Sequence, residues 1–472
     1  MNDLITTLND FLWGYVLIAA LVACGLWCTW RTKGVQFRMA GEMFRLLTDS
    51  VPSGSDTVAE ARRGGKHISS FQAFAVSVAT RVGTGNLAGV ATAIAIGGPG
   101  AVFWMWLIAL IGAATAFVES TLGQLFKQRH EESFIGGPAY YIQKGLHCRW
   151  LAVLFAVLIT ITFGLSYNSI QSNTICGAMQ EAFGWSPLWV GCALSALALA
   201  IVFGGIHRIA RVSAVLVPLM AIGYFILAVV VIVLNIGLVP HVLKVIVTSA
   251  FGLEQGLGGA IGATIMTGVK RGLFSNEAGE GSAPNVAATA TVTHPVKQGL
   301  IQALGVFTDT LLVCSCTAFV ILMSGLYAGS GLNGIALTQS ALNAEIGAFG
   351  STFIAVAIFL FAFSSIIGNY YYGEANIRFM TSSRHVLTAY RIGSGGVMVM
   401  FGALASLDIV WNLGDLCMAL LTACNLTAII ALGKYAFRLL DDYRRQKRDG
   451  IKEPVFHRCQ LPEIASELEC WE

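Results

Sequence analysis

Apolar residues run along this chain in long blocks separated by short polar stretches. About 20 consecutive apolar residues carry a helix across a bilayer. On that measure the pattern predicts eleven membrane helices, near residues 9–30, 68–95, 101–126, 150–178, 188–204, 212–235, 259–288, 299–325, 351–375, 386–405 and 410–436. The expected fold class is an all-α polytopic membrane protein.

Two of the blocks interrupt their own pattern. The stretch HISSFQAFAVSVATRVGTGNLAGVATAIAIGG, from about Ile68 to Ile96, carries Arg81, Gly83, Thr84, Gly85, Asn86 and Gly89 at its centre. The stretch TIMTGVKRGLFSNEAGEGSAPNVAATAT carries Glu277, Gly279, Glu280, Gly281 and Pro284 between Ser275 and Asn285. Each glycine weakens a helix by about 1 kcal/mol relative to alanine. A freed amide in hydrocarbon costs several kcal/mol unless it is buried in protein or beside a water-filled cavity. Interrupted spans of this kind bind small solutes and their coupling ions near the membrane midplane. The pattern therefore predicts two discontinuous helices and a transporter.

The basic residues set a direction. The odd-numbered connections and the C-terminal tail, counted with the adjoining span ends that carry Arg391 and Lys434, hold 25 of the 29 lysines and arginines, and the N-terminus and even-numbered connections hold only Lys244. The remaining three, Arg81, Lys270 and Arg271, fall within spans. The positive-inside rule places the N-terminus outside and the tail in the cytoplasm. With the first helix set aside, five helices start from the cytoplasm and five from outside. That is a 5+5 inverted repeat, and the opening helix of each set is the interrupted one. The expected layout is an extra N-terminal helix over 1–30, a basic cytoplasmic connection over 31–67, partly amphipathic and lying on the membrane surface, and a first repeat over 68–236. An extracellular loop over 237–258, a second repeat over 259–436 and a cytoplasmic tail over 437–472 complete it.

Composition agrees with a membrane chain. Of 472 residues, 56% are hydrophobic and 12% charged, with mean hydropathy +0.70, whereas soluble domains carry about 25% charged residues. Among the eleven cysteines, Cys24, Cys28, Cys176, Cys192, Cys314, Cys316, Cys417 and Cys424 lie in apolar spans as small packing residues. Their spacing matches no zinc site. The opening MNDLITTLNDFLWG has no basic region, so no cleaved signal peptide is expected.

The runs ATRVGTGNLAGVATAIAIGGPGAVFWMW, KRGLFSNEAGEGSAPNVAATATVTHPVKQGL, FIGGPAYYIQKGL, FGGIHRIARVSAVLVPLMA and FAFSSIIGNYYYGE resemble signatures of the alanine or glycine:cation symporter family. The resemblance extends in order from about Trp27 to Phe456. That family resembles the sodium-coupled bacterial leucine-transporter fold with one extra N-terminal helix. It implies a bacterial cytoplasmic (inner) membrane protein that imports alanine or glycine with Na+ as the coupling ion. It implies no cofactor, no nucleic-acid partner and no enzymatic activity.

Candidate site residues follow from the two interruptions. The amides of Thr84, Gly85 and Asn86 open a half-helix whose positive end suits a substrate carboxylate. The carbonyls of Ala79, Thr80, Arg81 and Val82 close the preceding half-helix and can surround a small cation. The run Val82-Gly83-Thr84-Gly85-Asn86 matches the V-G-x-G-N run of the leucine-transporter fold. The resemblance implies sodium contact by the carbonyls of Ala79 and Val82 and by Asn86. It implies a sodium site completed by Ser364 and Ser365 in the ninth span. Hydroxyls in membrane helices also bond their own i−4 carbonyl, which is the plain alternative for those serines.

Phe274, Ser275 and Asn276, beside the second interruption, are placed to accept from an ammonium group and wall in a short side chain. Gln171, in the fourth span, is a buried amide that the resemblance makes a substrate contact; a helix–helix hydrogen bond is the plainer alternative.

Charges inside the membrane are functional suspects by default. Glu277 and Glu280 are expected to cap the half-helix after the second interruption or to bind an ion. Asp309 is expected to join a second cation site or to pair with Arg271 or Lys270. Arg81 is expected to pair with one of the buried acids. Glu119 and Glu374 are expected at helix ends, as packing or gate contacts. Phe103, Trp104, Trp106 and Tyr370 to Tyr372 read as packing residues or interfacial anchors, with the Tyr370 region a candidate gate.

A proton-coupled symporter of the same fold, using Glu277 or Asp309, is the alternative. A channel would need a continuous polar stripe, and an enzyme a nucleophile–base pair or a metal cluster. The eight histidines lie in connections, and no span sets His beside Ser, Cys or Asp at catalytic spacing.

Overall fold

A computed structural model describes residues 2–49, 68–130, 133–252 and 258–471. The described residues are mostly helical, with one two-stranded ribbon among them, Gln128–His130 paired antiparallel to Ser133–Ile135. Eight helices among the described residues are long and apolar enough to cross a membrane. They are α1 (Thr6–Arg31), α4 (Ala101–Leu125), α5 (Arg149–Phe183), α7 (Arg208–Leu234), α10 (Pro295–Ser324), α11 (Phe349–Met380), α12 (Arg384–Leu404) and α13 (Leu407–Arg448). Shorter helices complete the bundle: α2 (Ser70–Arg81), α3 (Gly85–Gly97), α6 (Pro187–Val202), α8 (Gly258–Asn276) and α9 (Ala283–Ala287).

A few helices open on caps that the sequence supplies. Ser69 accepts from the Gln72 amide and the Gln72 side chain accepts from the Ser69 amide, a reciprocal box that opens α2. His294 accepts from the Val296 amide and Pro295 takes the first position of α10. Several helices widen into π-helical turns, at Gly85–Gly89, Thr162–Tyr167 and Phe307–Cys314 among others. Such turns concentrate at functional positions because they re-aim the side chains that follow. Here they contain Asn86 and Asp309 and precede Gln171.

The bundle is built around α4, which packs along α10, α8 and α1. Helix α11 lies against α2, α5 and α7, which sets its polar centre beside the end of α2. Every residue from Ala73 to Ile94 is buried.

The segments outside the expected spans carry more helix than the apolar pattern shows. Helix α13 continues well past residue 436, to Arg448, so the expected tail begins as helix. The expected loop over 237–258 holds a helix, Val239–Ala250, whose Ala250 carbonyl accepts from Trp104 at 3.2 Å; residues 253–257 lie outside the described residues. The basic connection forms two short helices, Val35–Arg38 and Ala40–Leu47, and residues 50–67, with Arg62, Arg63 and Lys66, lie outside the described residues. Val35, Met43 and Leu46 are buried against the bundle, while Phe37 and Phe44 face outward. A helix the sequence pattern left unassigned, Gly334–Ile346, lies over the first interruption, where Thr338 donates to the Leu87 carbonyl at 3.0 Å.

The C-terminal segment packs back onto the bundle. Trp471 donates to the Leu125 carbonyl at 3.0 Å, and the Phe456 amide donates to Thr293 at 3.0 Å. The buried Lys297 bonds Asp49 at 2.9 Å and Glu453 at 2.5 Å. At the same end the Thr291 amide donates to the Ile68 carbonyl at 3.1 Å, tying the start of α2 to the link after α9.

Candidate functional site

Both interruptions are real breaks. Helix α2 stops at Arg81, and Val82 turns extended (φ −77°, ψ 90°). The Gly83 amide then donates to the Asn86 side-chain oxygen at 2.9 Å. The Thr84 amide and hydroxyl both donate to the Gln171 oxygen, at 3.0 and 2.5 Å. Glycine is required at this break by contact. A Cβ on Gly85 would sit 3.0 Å from Ser275 Cα and 3.1 Å from Phe274 Cδ1, so the two breaks touch there. A Cβ on Gly83 would run into the Ser365 hydroxyl and Gln171.

The second break spans Glu277 to Ser282, between α8 and α9. Glu277, Gly279 and Gly281 take positive φ of 57°, 99° and 81°, the left-handed region that favours glycine. The Ala278 amide donates to Asn276, and the Gly279 and Gly281 amides each donate to Glu119, at 3.2 Å. Ser282 donates to Glu277 at 2.6 Å. Freed peptide groups in both breaks are thus met by side chains, Asn86 and Asn276 locally and Gln171 and Glu119 from other helices, as burial demands.

Two clusters join the breaks to their neighbours. At the end of α2 the Ala79 carbonyl accepts from Ser365 at 2.9 Å and from Ser364 at 3.2 Å. Both hydroxyls also reach the Phe361 carbonyl of their own helix, so the local and the cross-helix bond coexist. Across the breaks, the Asp309 carboxylate accepts from Asn86 at 2.7 Å, Ser275 at 2.7 Å and Thr310 at 2.9 Å. Asn276 donates to Thr310 at 3.3 Å. Asp309 is fully buried, and these donors are neutral. An anionic oxygen cluster of this kind suits a hard cation.

Aromatic side chains close one side. Phe274 lies between Tyr167 and Trp411, with ring centroids 4.8 Å from each. Arg271 stacks over Trp411 at 4.4 Å and pairs with Asp415 at 2.5 Å, and Lys270 reaches the same carboxylate at 3.4 Å.

The structure therefore brings Ala79, Ser364 and Ser365 together, and sets Thr84 on Gln171 and Asn86 on Ser275 through Asp309. Three expectations are corrected. Asp309 pairs with neither Arg271 nor Lys270, because Asp415 takes both. Among the described residues Arg81 pairs with no acid: one of its guanidinium nitrogens donates to the Gln302 carbonyl at 3.0 Å, and the other two lie buried without a partner there. Glu119 lies toward the end of α4 as expected, but it is no gate contact: it holds the Gly279 and Gly281 amides of the second break. Glu374 does sit in a helix-end cluster, with Arg378, Arg391 and Tyr370. Tyr372 shares a 2.8 Å bond with Thr80.

Sequence reading passed over Asp415, Trp411 and Asn425. Asp415 carried a usable signal, since it is an acid inside the last apolar span. Asn425 carried less, being one buried amide among many.

Comparison with known proteins follows the same outline. The profile of the sodium:alanine symporter family matches residues 1–458. A probable sodium/glutamine symporter, GlnT of Bacillus subtilis (strain 168), is 50% identical over 471 residues, covering 100% of this chain and 96% of that protein. The sodium/alanine symporter AgcS of Methanococcus maripaludis is 36% identical over 440 residues, covering 91% and 94%. Among solved structures, MhsT in complex with L-phenylalanine superposes with a TM-score of 0.56 at 14% identity, covering 80% of this chain and 96% of that one, which shows a shared fold. The chain is a membrane transporter rather than an enzyme, and it belongs to the sodium:alanine symporter family.

Proposed function

We propose that the protein imports a small neutral amino acid, alanine or glycine, together with sodium. The chain then crosses the cytoplasmic membrane eleven times, as one leading helix and two inverted sets of five. The N-terminus lies outside and the tail in the cytoplasm, as the distribution of basic residues indicates. Joined pairwise, α2 with α3 and α8 with α9 supply the opening spans of the two sets.

The observation that carries this reading is the meeting of both breaks on Asp309, through Asn86 and Ser275. Sodium is held at the end of α2 by the Ala79 and Val82 carbonyls with Ser364 and Ser365. Asn86 and Asp309 offer oxygens to a second cation beside the amino acid. The substrate carboxylate takes the N-terminal turn of α3, where Gln171 now bonds Thr84. Ser275 and Asn276 face its ammonium group.

Contact between Gly85 and Phe274, and the flanking rings of Tyr167 and Trp411, favour a short side chain. The Arg271–Asp415 pair and Trp411 seal the outer side, and the tail-side contacts hold the inner ends of α2 and α9. Alternating access exchanges those two seals.

Reconstituted vesicles test this with alanine, glycine, serine and glutamine, under sodium and proton gradients imposed separately. Sodium-driven uptake of alanine or glycine is expected, and Asn86→Ala abolishes its sodium stimulation. Uptake driven by a proton gradient in the absence of sodium would overturn the coupling, and preference for glutamine, the substrate in one relative's name, would overturn the substrate.

A further inference from the structure

The second break hangs on residues that the transport reading does not use. Glu119 on α4 is fully buried, and its two carboxylate oxygens accept from the Gly279 and Gly281 amides at 3.2 Å each. The Asn425 side chain on α13 donates to the same carboxylate at 2.8 Å and to the Gly279 carbonyl at 2.9 Å. The other end of that amide accepts from the Tyr141 hydroxyl at 2.5 Å. The fit is close, since a Cβ on Gly281 would lie 2.8 Å from Asn425 Cγ.

Amides at left-handed positions have no helical partner, so an outside acceptor has to fix their direction. A carboxylate suits the task because it accepts on both oxygens and brings no donor to face the amides.

We propose that Glu119, oriented by Asn425 and Tyr141, is a positioning residue for amino-acid binding. It fixes where α8 ends and so where Phe274, Ser275 and Asn276 stand. The first break hangs on different groups: Gln171, Ser364 and Ser365. Glu119 therefore sets affinity for the amino acid without setting affinity for sodium at the Ala79 carbonyl. This inference rests on the proposed function, because it takes the residues beside the second break as the amino-acid contacts.

The test is uptake in reconstituted vesicles by wild type, Glu119→Gln and Tyr141→Phe. Each is measured for the KM for alanine and for the sodium concentration giving half-maximal uptake at saturating alanine. A glutamine at 119 presents one acceptor and an NH2 group, so one glycine amide loses its partner. The KM is expected to rise about tenfold, the equivalent of about 1.4 kcal/mol, while half-saturation by sodium stays within about twofold. Tyr141→Phe removes one hydroxyl and is expected to raise the KM about threefold, also without moving sodium. It decides the matter alone if Glu119→Gln does not insert.

An unchanged KM, or a parallel rise in both quantities, would overturn the inference. A wild type that takes up no small amino acid with sodium would instead overturn the function on which the inference rests.

Discussion

Asn86 donates to Asp309 at 2.7 Å, and that bond ties the opening turn of one broken helix to a residue 223 positions further along the chain. Asp309 also accepts from Ser275 beside the other break, so one carboxylate spans both. Asp309→Asn removes the charge and keeps the shape. The hydroxyls of Ser275 and Thr310 can reverse their bonds, so the fold survives. Half-saturation of uptake by sodium is expected to rise about tenfold, and an unmoved sodium dependence would contradict a cation role for this residue.

The two serines on α11 are not equivalent. Ser365 makes the shorter bond to the Ala79 carbonyl and also lies where a Cβ on Gly83 would fall. Ser365→Ala is therefore expected to raise the sodium requirement more than Ser364→Ala, and the double variant more than either. Titration of sodium-driven uptake reads the order directly; the opposite ranking would favour plain helix packing.

Gly85 stands where the breaks touch. Its valine variant adds bulk against Ser275 and Phe274 that has no room to move aside. Overpacking of this kind costs about 1–3 kcal/mol, so the protein is expected to insert while alanine binding is lost. Retained binding of radiolabelled alanine by purified Gly85→Val would place the carboxylate elsewhere.

The tail-side end carries a pH dependence. His294 accepts from the Val296 amide and meets Asp442 at 3.3 Å, with Lys297 on its own helix and Arg445 bonded to the far oxygen of Asp442. Burial pushes the imidazole below its usual 6.5, with Lys297 adding to the effect, and the bond to Asp442 offsets only part of it. Asp442 is itself desolvated, yet its bonds to His294 and Gln446 hold it below the ordinary carboxylate range. Both groups bind protons more readily when unfolded. Stability is then complete above about pH 6.5 and falls as pH drops below it through the histidine, with Asp442 contributing only below about pH 4. The melting temperature is expected to be lower at pH 5.5 than at pH 7.5, and His294→Gln to shrink that difference. An equal difference in the variant would assign the effect to other groups.

What was legible in the sequence was local. Gly83 and Gly85 beside Asn86, and Gly279 and Gly281 beside Glu277, Glu280 and Pro284, point to breaks in their apolar spans because helix weakening is decided within a few residues. The partners of the broken backbone were not legible in that way. Glu119 meets Gly279 across 160 positions, and nothing in the neighbourhood of either residue encodes the other. Ser365 was placed beside Ala79 by family resemblance, not by any pattern in the chain. Asp415 could have been found, since an acid inside an apolar span requires a partner. Without Asp415, Asp309 stood as one candidate partner for Arg271 and Lys270, which both pair with Asp415. The helix Gly334–Ile346 escaped notice because it is shorter than a span and lies between two of them.

The central claim is that the two breaks hold an amino acid and sodium at touching sites, which makes each ligand raise the affinity for the other by the same factor. Equilibrium binding of alanine to the purified protein, with sodium replaced stepwise by choline at constant ionic strength, measures this most directly. The account predicts that alanine affinity rises by about tenfold or more from choline to saturating sodium, and that the dependence disappears in Asn86→Ala. Alanine binding of equal affinity in choline and in sodium would contradict it.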